Sequence, residues 1–311
     1  MTILLCDVGG THIRFALGSE NKIEPYKLRV DAHRDLEDAI SLYLTTQQIA
    51  PENITAFYLA FSNRNEWDTT PDALRQALPK AVIRQVNDFE ANAHGVLVAE
   101  SADFLSLHKG RGDPVSHSSK TVIGVGTGLG LAYVLGEKGH GFVQRTHGGH
   151  MLPAFAPSHH ELYAFLKKQK TDVIIYEDIL SGRGLYDVYR YLSAKNFLDL
   201  EFENAESLML NGKDNPVFRQ ALDIFCEMLG LFAHHAVAFG YAYGGIYLTG
   251  GVIDRLMLAG LFKADKFMEF YLQDNVKIVR DHAESASVFW IRDEFVSLKG
   301  LLNLAKEDGH A

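Results

Sequence analysis

Residues 2–18, TILLCDVGGTHIRFALG, form an apolar run closed by a carboxylate and two glycines, after which a second apolar run begins. Ile3, Leu4 and Leu5 lead to Asp7, Gly9 and Gly10 make the turn, and residues 14–17 resume a strand pattern. The stretch therefore reads as a β-hairpin. Adjacent glycines let a backbone approach a ligand closely, and a turn of this kind presents several N–H groups to an anion. Thr11 adds a hydroxyl and Asp7 a carboxylate, groups that a phosphate-bound magnesium ion uses directly or through water. A plain Gly-Gly turn with no ligand is the competing reading.

The same design recurs at residues 122–135, VIGVGTGLGLAYVL: an apolar strand, a turn built from Gly126, Thr127, Gly128 and Gly130, and a returning strand. A repeated supersecondary unit, one copy opening each half of the chain, implies two like domains that share one phosphate-bearing ligand. No GxxxxGK[ST] stretch occurs, and the glycines at 124, 126, 128 and 130 do not fit GxGxxG, which counts against a P-loop and a Rossmann dinucleotide site.

Composition sets the outer limits. At 311 residues the chain has room for two domains, each with its own core, and 47% hydrophobic with 22% charged residues is a globular composition. Acidic residues outnumber basic ones 39 to 30, for a net charge of −9, and no Lys/Arg block appears, which argues against a nucleic-acid groove. Backbone amides and a metal still allow an acidic protein to bind a nucleotide. Cys6 and Cys226 lie in separate apolar segments and read as buried free thiols of a reducing compartment. Neither a secretory leader pattern nor eighteen consecutive apolar residues is found, so the expectation is a soluble cytoplasmic chain with no membrane partner.

Residues 81–86 form a strand pattern that runs straight into NDFEANAHGVLVA, placing Asn87 and Asp88 where a strand becomes a helix. Two readings stand side by side there: an N-cap, or a general base that holds a substrate hydroxyl. Residues 107–120, LHKGRGDPVSHSSK, suit a crossing between domains. His147 and His150 have HxxH spacing; a metal pair lacks a third ligand signal, and imidazoles beside Gly148 and Gly149 suit a polyhydroxyl ligand. Glu177 opens a helical segment, a common place for a cap or a solvated charge. Residues 217–239 are apolar nearly all round and predict a buried helix, followed by a strand at 246–248 bracketed by glycines, as a flat ligand such as adenine requires.

In order along the chain, DVGGTHIRFALG, VNDFEA, GVGTGLGLAYV, GGHM followed by FAP, EDILSGRGL and GGIYLTGGVIDR together resemble the bacterial ATP-dependent glucokinase family, a branch of the actin-like sugar kinases. The resemblance runs from Asp7 to Arg255, and the zinc-binding cysteine cluster of the related repressor and sugar-kinase group is absent. It implies a two-lobed α/β actin-like (ribonuclease H-like) fold, each lobe a mixed sheet flanked by helices. The expected small lobe is residues 1–115 plus 296–311, and the large lobe residues 116–295.

By the same resemblance, Asp7, Gly9, Gly10 and Thr11 form a first phosphate loop, with Asp7 near Mg2+. Gly126, Thr127, Gly128 and Gly130 form a second, and Gly250 and Gly251 face the adenosine of ATP. Asn87 and Asp88 hold the sugar, Asp88 as base for its 6-hydroxyl, and His150 and Glu177 bind further hydroxyls. The partners implied are ATP, a sugar and a second copy of the chain in a homodimer.

The chain departs from the family pattern in three places: His147 replaces the glutamate of GEGGH, FSNRNEWDTT compresses a Thr-Asn sugar segment, and RDEFVSLKG replaces Asp-Asn-Pro-Gly. All three fall where substrate choice is made. The expectation is thus a hexose 6-kinase, with glucose as the default substrate. The alternative is a non-catalytic or altered-specificity relative that binds nucleotide, another sugar or both.

Overall fold

The computed structural model describes residues 2–19, 22–61, 69–111, 118–137, 140–274 and 276–310. Most of the FSNRNEWDTT loop, at 62–68, lies outside them, as do residues 112–117 with the expected 115/116 boundary. The chain divides into two compact units, Met1–Asp103 with Gly136–Val143 and Asp293–Ala311, and Phe104–Leu135 with Gln144–Arg292.

In the first unit, β1 (Thr2–Val8), β2 (His12–Ser19), β3 (Lys22–Ile23) and β4 (Tyr26–Arg29) precede α1 (Leu36–Thr46), β5 (Ile54–Phe61), α2 (Pro71–Ala77), β6 (Val82–Val86) and α3 (Asp88–Val98). The sheet order is β3-β2-β1-β5-β6, with β4 also on β2. β1 pairs antiparallel with β2 and parallel with β5, and β5 is parallel to β6, so the sheet is mixed. α2 begins at Thr70, whose hydroxyl accepts the Ala73 amide, with Pro71 in the first turn.

The apolar run of β1 is continuous because both faces are covered. Leu4, Cys6 and Val8 join a core with residues of α1 and α2, whereas Ile3 and Leu5 join another with Ala91 of α3 and Leu298, Leu301 and Leu304 of the C-terminal helix, Val296–Glu307. Side chains alternate along a strand, so Asp7 shares the parity of Ile3 and Leu5 and lies on the C-terminal helix's side. That helix packs on α3 without clearance. A Cβ at Gly300 would sit 1.9 Å from the Ala91 carbonyl oxygen, and one at Gly95 would sit 2.2 Å from that of Val296.

The second unit holds β7 (Phe104–His108), β8 (Lys120–Val125) and β9 (Leu129–Glu137) up to Leu135, while β10 (His140–Arg145) belongs to it only from Gln144; α4 (His160–Gln169), α5 (Gly182–Lys195), α6 (Ala205–Asn211) and α7 (Pro216–Gly240) follow. β11 (Ile246–Thr249), α8 (Gly251–Leu258), α9 (Ala264–Tyr271), α10 (Lys277–Ser285) and β12 (Val288–Ile291) complete it. The second sheet runs β10-β9-β8-β11-β12-β7, with β8 antiparallel to β9 and parallel to β11, and β11 parallel to β12. Both sheets thus join an antiparallel glycine hairpin to parallel strands. The segment expected as a crossing begins inside β7, which pairs antiparallel with β12 and sets Phe104 against Tyr247 and Phe289.

α7 is long and apolar enough by length and composition to cross a membrane. Its apolar side chains, among them Phe218, Leu222, Phe225, Leu229 and Phe232, are the buried core of this unit. Gly230 is a contact rather than a break, since a Cβ there would lie 2.2 Å from the Phe267 carbonyl oxygen of α9. Both cysteines are free and buried. Burial raises both thiols, Cys6 with the Asp7 charge adding to the effect, and Cys226 up to about 12; both are held as inert thiols.

Candidate active site

The first hairpin closes with the Gly9 amide donating to the His12 carbonyl at 3.0 Å, which leaves Gly10 and Thr11 exposed at the tip. Asp7, at the end of β1, is only 6% exposed. Its Oδ2 accepts the Ser297 hydroxyl at 2.7 Å and Nη1 of Arg14 at 3.1 Å. Arg14 is the direct cross-strand partner of Asp7 in the β1–β2 register. Burial, then Lys27, Arg14 and Arg29, lower the pKa of His12 just beyond the tip, Glu294 acting the other way, and each of the three cations is paired with a carboxylate, Glu294, Asp7 and Asp31 respectively.

Asn87 and Asp88 stand at the β6–α3 junction. Asn87 is the N-cap of α3 and its Oδ1 accepts the Phe89 amide at 3.0 Å, so the capping reading holds for this residue. Asp88 is the first helical residue, half-buried, and its Oδ1 accepts the same amide at 2.8 Å. The cap is therefore supplied by a neighbour, and the Asp88 carboxylate is not required to start the helix.

The second unit brings the second glycine turn, the HGGH loop and Glu177 together. Gly126 N–H donates to the Gly128 carbonyl at 2.9 Å, and the Gly126 carbonyl accepts the Gly182 amide at the start of α5 at 3.0 Å. Gly130 pairs with Gly124 inside the β8–β9 ladder, while Thr127 is exposed at the tip. Glu177, 6% exposed in a short 3-10 turn at Tyr176–Asp178, accepts the Leu129 amide on Oε2 at 3.0 Å. A sugar-binding carboxylate by expectation is thus also a brace of the second hairpin.

The two glycines of the HGGH loop have a packing reason. A Cβ at Gly148 would meet Leu131 Cδ2 at 2.4 Å, and one at Gly149 would meet the Leu129 carbonyl oxygen at 2.3 Å. Only glycine lets this loop lie flat on β9, where Thr146 also donates to the Leu131 carbonyl at 2.8 Å. The loop leaves His147 and His150 exposed with ring centroids 6.1 Å apart. It is tied to the Glu177 turn by the Tyr176 amide donating to the Met151 carbonyl at 2.9 Å. No group of three or more His, Cys, Asp or Glu side chains among the described residues could hold a metal ion, so the HxxH pair has no third ligand.

Gly250 and Gly251 open α8. Gly250 has φ +100°, and a Cβ on it would meet the Val125 backbone at 2.5 Å, so its first requirement is local rather than a ligand's. Gly251 has open space where a Cβ would be, and its amide nitrogen lies 3.8 Å from the Cβ position of Gly126. The second hairpin tip and the start of α8 are therefore neighbours.

Two residues that contact Asp7 escape a reading of the sequence motifs. Arg14 carries a signal, an opposite charge at the paired position of a hairpin. Ser297 carries none, being 290 residues distant in the chain.

Comparison with known proteins matches these features to one family. The family model described as Glucokinase matches residues 4–307. A glucokinase of Neisseria gonorrhoeae is 29% identical over 312 residues, covering 96% of this chain and 92% of that protein. The crystal structure of a glucokinase from an Antarctic psychrotroph superposes with a TM-score of 0.80 at 23% identity, covering 98% of this chain and 99% of that one. A glucokinase from Balamuthia mandrillaris, in complex with glucose, gives 0.75 at 20% identity, with 98% and 93% covered. The architecture is the two-lobed actin-like fold of the sugar kinases, and the chain belongs to the glucokinase family.

Proposed function

We propose that this chain, an ATP-dependent glucose kinase by family, transfers the γ-phosphate to the sugar 6-hydroxyl with Asp88 as the base. The observation that carries the reading is the bond from the Leu129 amide to Glu177, because it builds a hydroxyl-binding carboxylate into the frame of a phosphate-type glycine turn. In phosphoryl transfer a protein mainly positions the reactants and offsets charge. Asn87 and Asp88 hold the attacking hydroxyl, and Asp88 accepts its proton as the bond to phosphorus forms. Gly9, Gly10 and Thr11, with Gly126, Thr127, Gly128 and Gly130, offer backbone amides to the phosphates of ATP, and Gly250 and Gly251 give the adenosine a flat approach. His147, His150 and Glu177 take the remaining sugar hydroxyls.

Asp7 suits Mg2+ by the chemistry of its donor set. Both donors on Asp7 occupy Oδ2, leaving Oδ1 with no partner among the described residues. One carboxylate with phosphate oxygens and water is the coordination that magnesium takes in such sites. Magnesium, when bound with ATP, offsets negative charge on the transferring group. The proposal includes a cytoplasmic location, which the two free buried thiols suit, a homodimer, which rests on the family resemblance, and no membrane or nucleic-acid partner.

The test is a coupled rate assay over glucose, mannose, fructose, galactose and N-acetylated amino sugars. Glucose is expected to give the highest kcat/KM. ATP binding with no turnover on any sugar would instead support a binding-only relative, the reading that His147 in place of a glutamate favours.

A further inference from the structure

We propose that Ser297 is the positioning residue for Asp7, and that through it the C-terminal helix keeps Asp7 and Asp88 in register. This rests on the assignment of Asp7 to the magnesium-bound phosphates and Asp88 to the sugar hydroxyl.

Ser297 is the second residue of the C-terminal helix and is 2% exposed. A serine in a first helical turn commonly caps backbone amides, but here the N-cap is Phe295 and makes no side-chain bond. The Ser297 hydroxyl instead donates to Asp7 Oδ2 at 2.7 Å. A hydroxyl on a buried carboxylate is a charge-assisted bond, among the stronger kinds. With Arg14 on the same oxygen, two donors fix the rotation of the carboxyl group and reserve Oδ1 for a ligand.

The same helix is locked to α3. The carbonyl of Val296, the residue beside Ser297, abuts Gly95 of α3, and Gly300 abuts Ala91. Lys299 further anchors this end, with Nζ 2.9 Å from both Asp103 and Asp293. α3 begins at Asp88. A continuous chain of close contacts therefore runs from Asp88 along α3, across Gly95 to Val296, and through the Ser297 hydroxyl to Asp7. Such a chain predicts that loosening its Asp7 end changes magnesium use before it changes the fold.

The test measures ATP binding by calorimetry with and without Mg2+, together with kcat, in Ser297→Ala, Ser297→Cys and Asp7→Asn. Cysteine keeps the volume with a weak donor, and carries the test if the alanine cavity impairs folding. Loss of the bond is expected to weaken Mg·ATP binding and raise the half-saturating Mg2+ concentration, each by roughly 10-fold. Binding of ATP without Mg2+ and the melting temperature should stay near wild type. If Asp7→Asn loses the Mg2+ effect while both Ser297 variants keep it, the role of Ser297 is refuted and the Asp7 assignment survives. If Asp7→Asn itself keeps the Mg2+ effect, the underlying assignment fails.

Discussion

Asp88→Asn is expected to lower kcat by about 10²- to 10⁴-fold, the range attributed to a positioned general base, while leaving the fold and the binding of ATP close to wild type. The two halves of that expectation have separate structural grounds. Asparagine retains the oxygen that receives the Phe89 amide, and Asn87 caps the same amide independently, so the start of α3 has no reason to fray. What asparagine cannot do is accept a proton. Steady-state rates, calorimetric binding of ATP and a melting curve on one preparation check all three parts. A variant with near-normal kcat would remove Asp88 from the chemistry. One that melts early would mean the carboxylate is structural.

Gly300→Ala is expected to destabilise the first unit by about 2–3 kcal/mol, the upper part of the overpacking range. Two effects of opposite sign compete. Helix propensity favours alanine over glycine by about 1 kcal/mol in a helix interior. Against it, the new methyl would lie 1.9 Å from the Ala91 carbonyl oxygen, a backbone atom that cannot rotate away. Relief requires α3 and the C-terminal helix to separate, opening the core that contains Ala91, Leu298 and Leu301. The clash wins, and because α3 carries Asp88, kcat should fall along with stability. Urea unfolding reports the change as a lower midpoint at similar slope. A midpoint raised by the propensity gain alone would show that the two helices have more clearance than the backbone positions indicate.

Much of this was legible in the sequence because it is written in local patterns. The two hairpins are visible from an apolar run, a glycine turn and a return. β1 shows why an unbroken apolar run signals a strand covered on both faces: its alternate residues enter two different cores. The strand-to-helix junction at Asn87 and Asp88 was equally plain, with Asn87 as the cap and Asp88 as the first helical residue.

What was hidden depends on chain segments distant in sequence. Ser297 finds Asp7 only because the C-terminal helix returns to the face that strand parity gives to Asp7. β7 is a strand by virtue of β12, whose residues follow it by more than half the chain, so its sequence alone blends into the loop after it. Glycines mislead in a related way. Gly148, Gly149, Gly230 and Gly250 answer first to a neighbouring backbone or side chain, a requirement that no local motif discloses. α10 shows the same limit, since only Ala283 of its residues is buried and no apolar stripe announces it.

Phosphorus NMR of the protein supplied with ATP, Mg2+ and glucose tests the transfer to the 6-hydroxyl directly. A kinase with Asp88 as its base shows loss of the γ-phosphate signal with matching growth of a single phosphomonoester at the sugar 6-position, and no such conversion by Asp88→Asn. Release of inorganic phosphate without a sugar ester, or an ester at another hydroxyl, would contradict it.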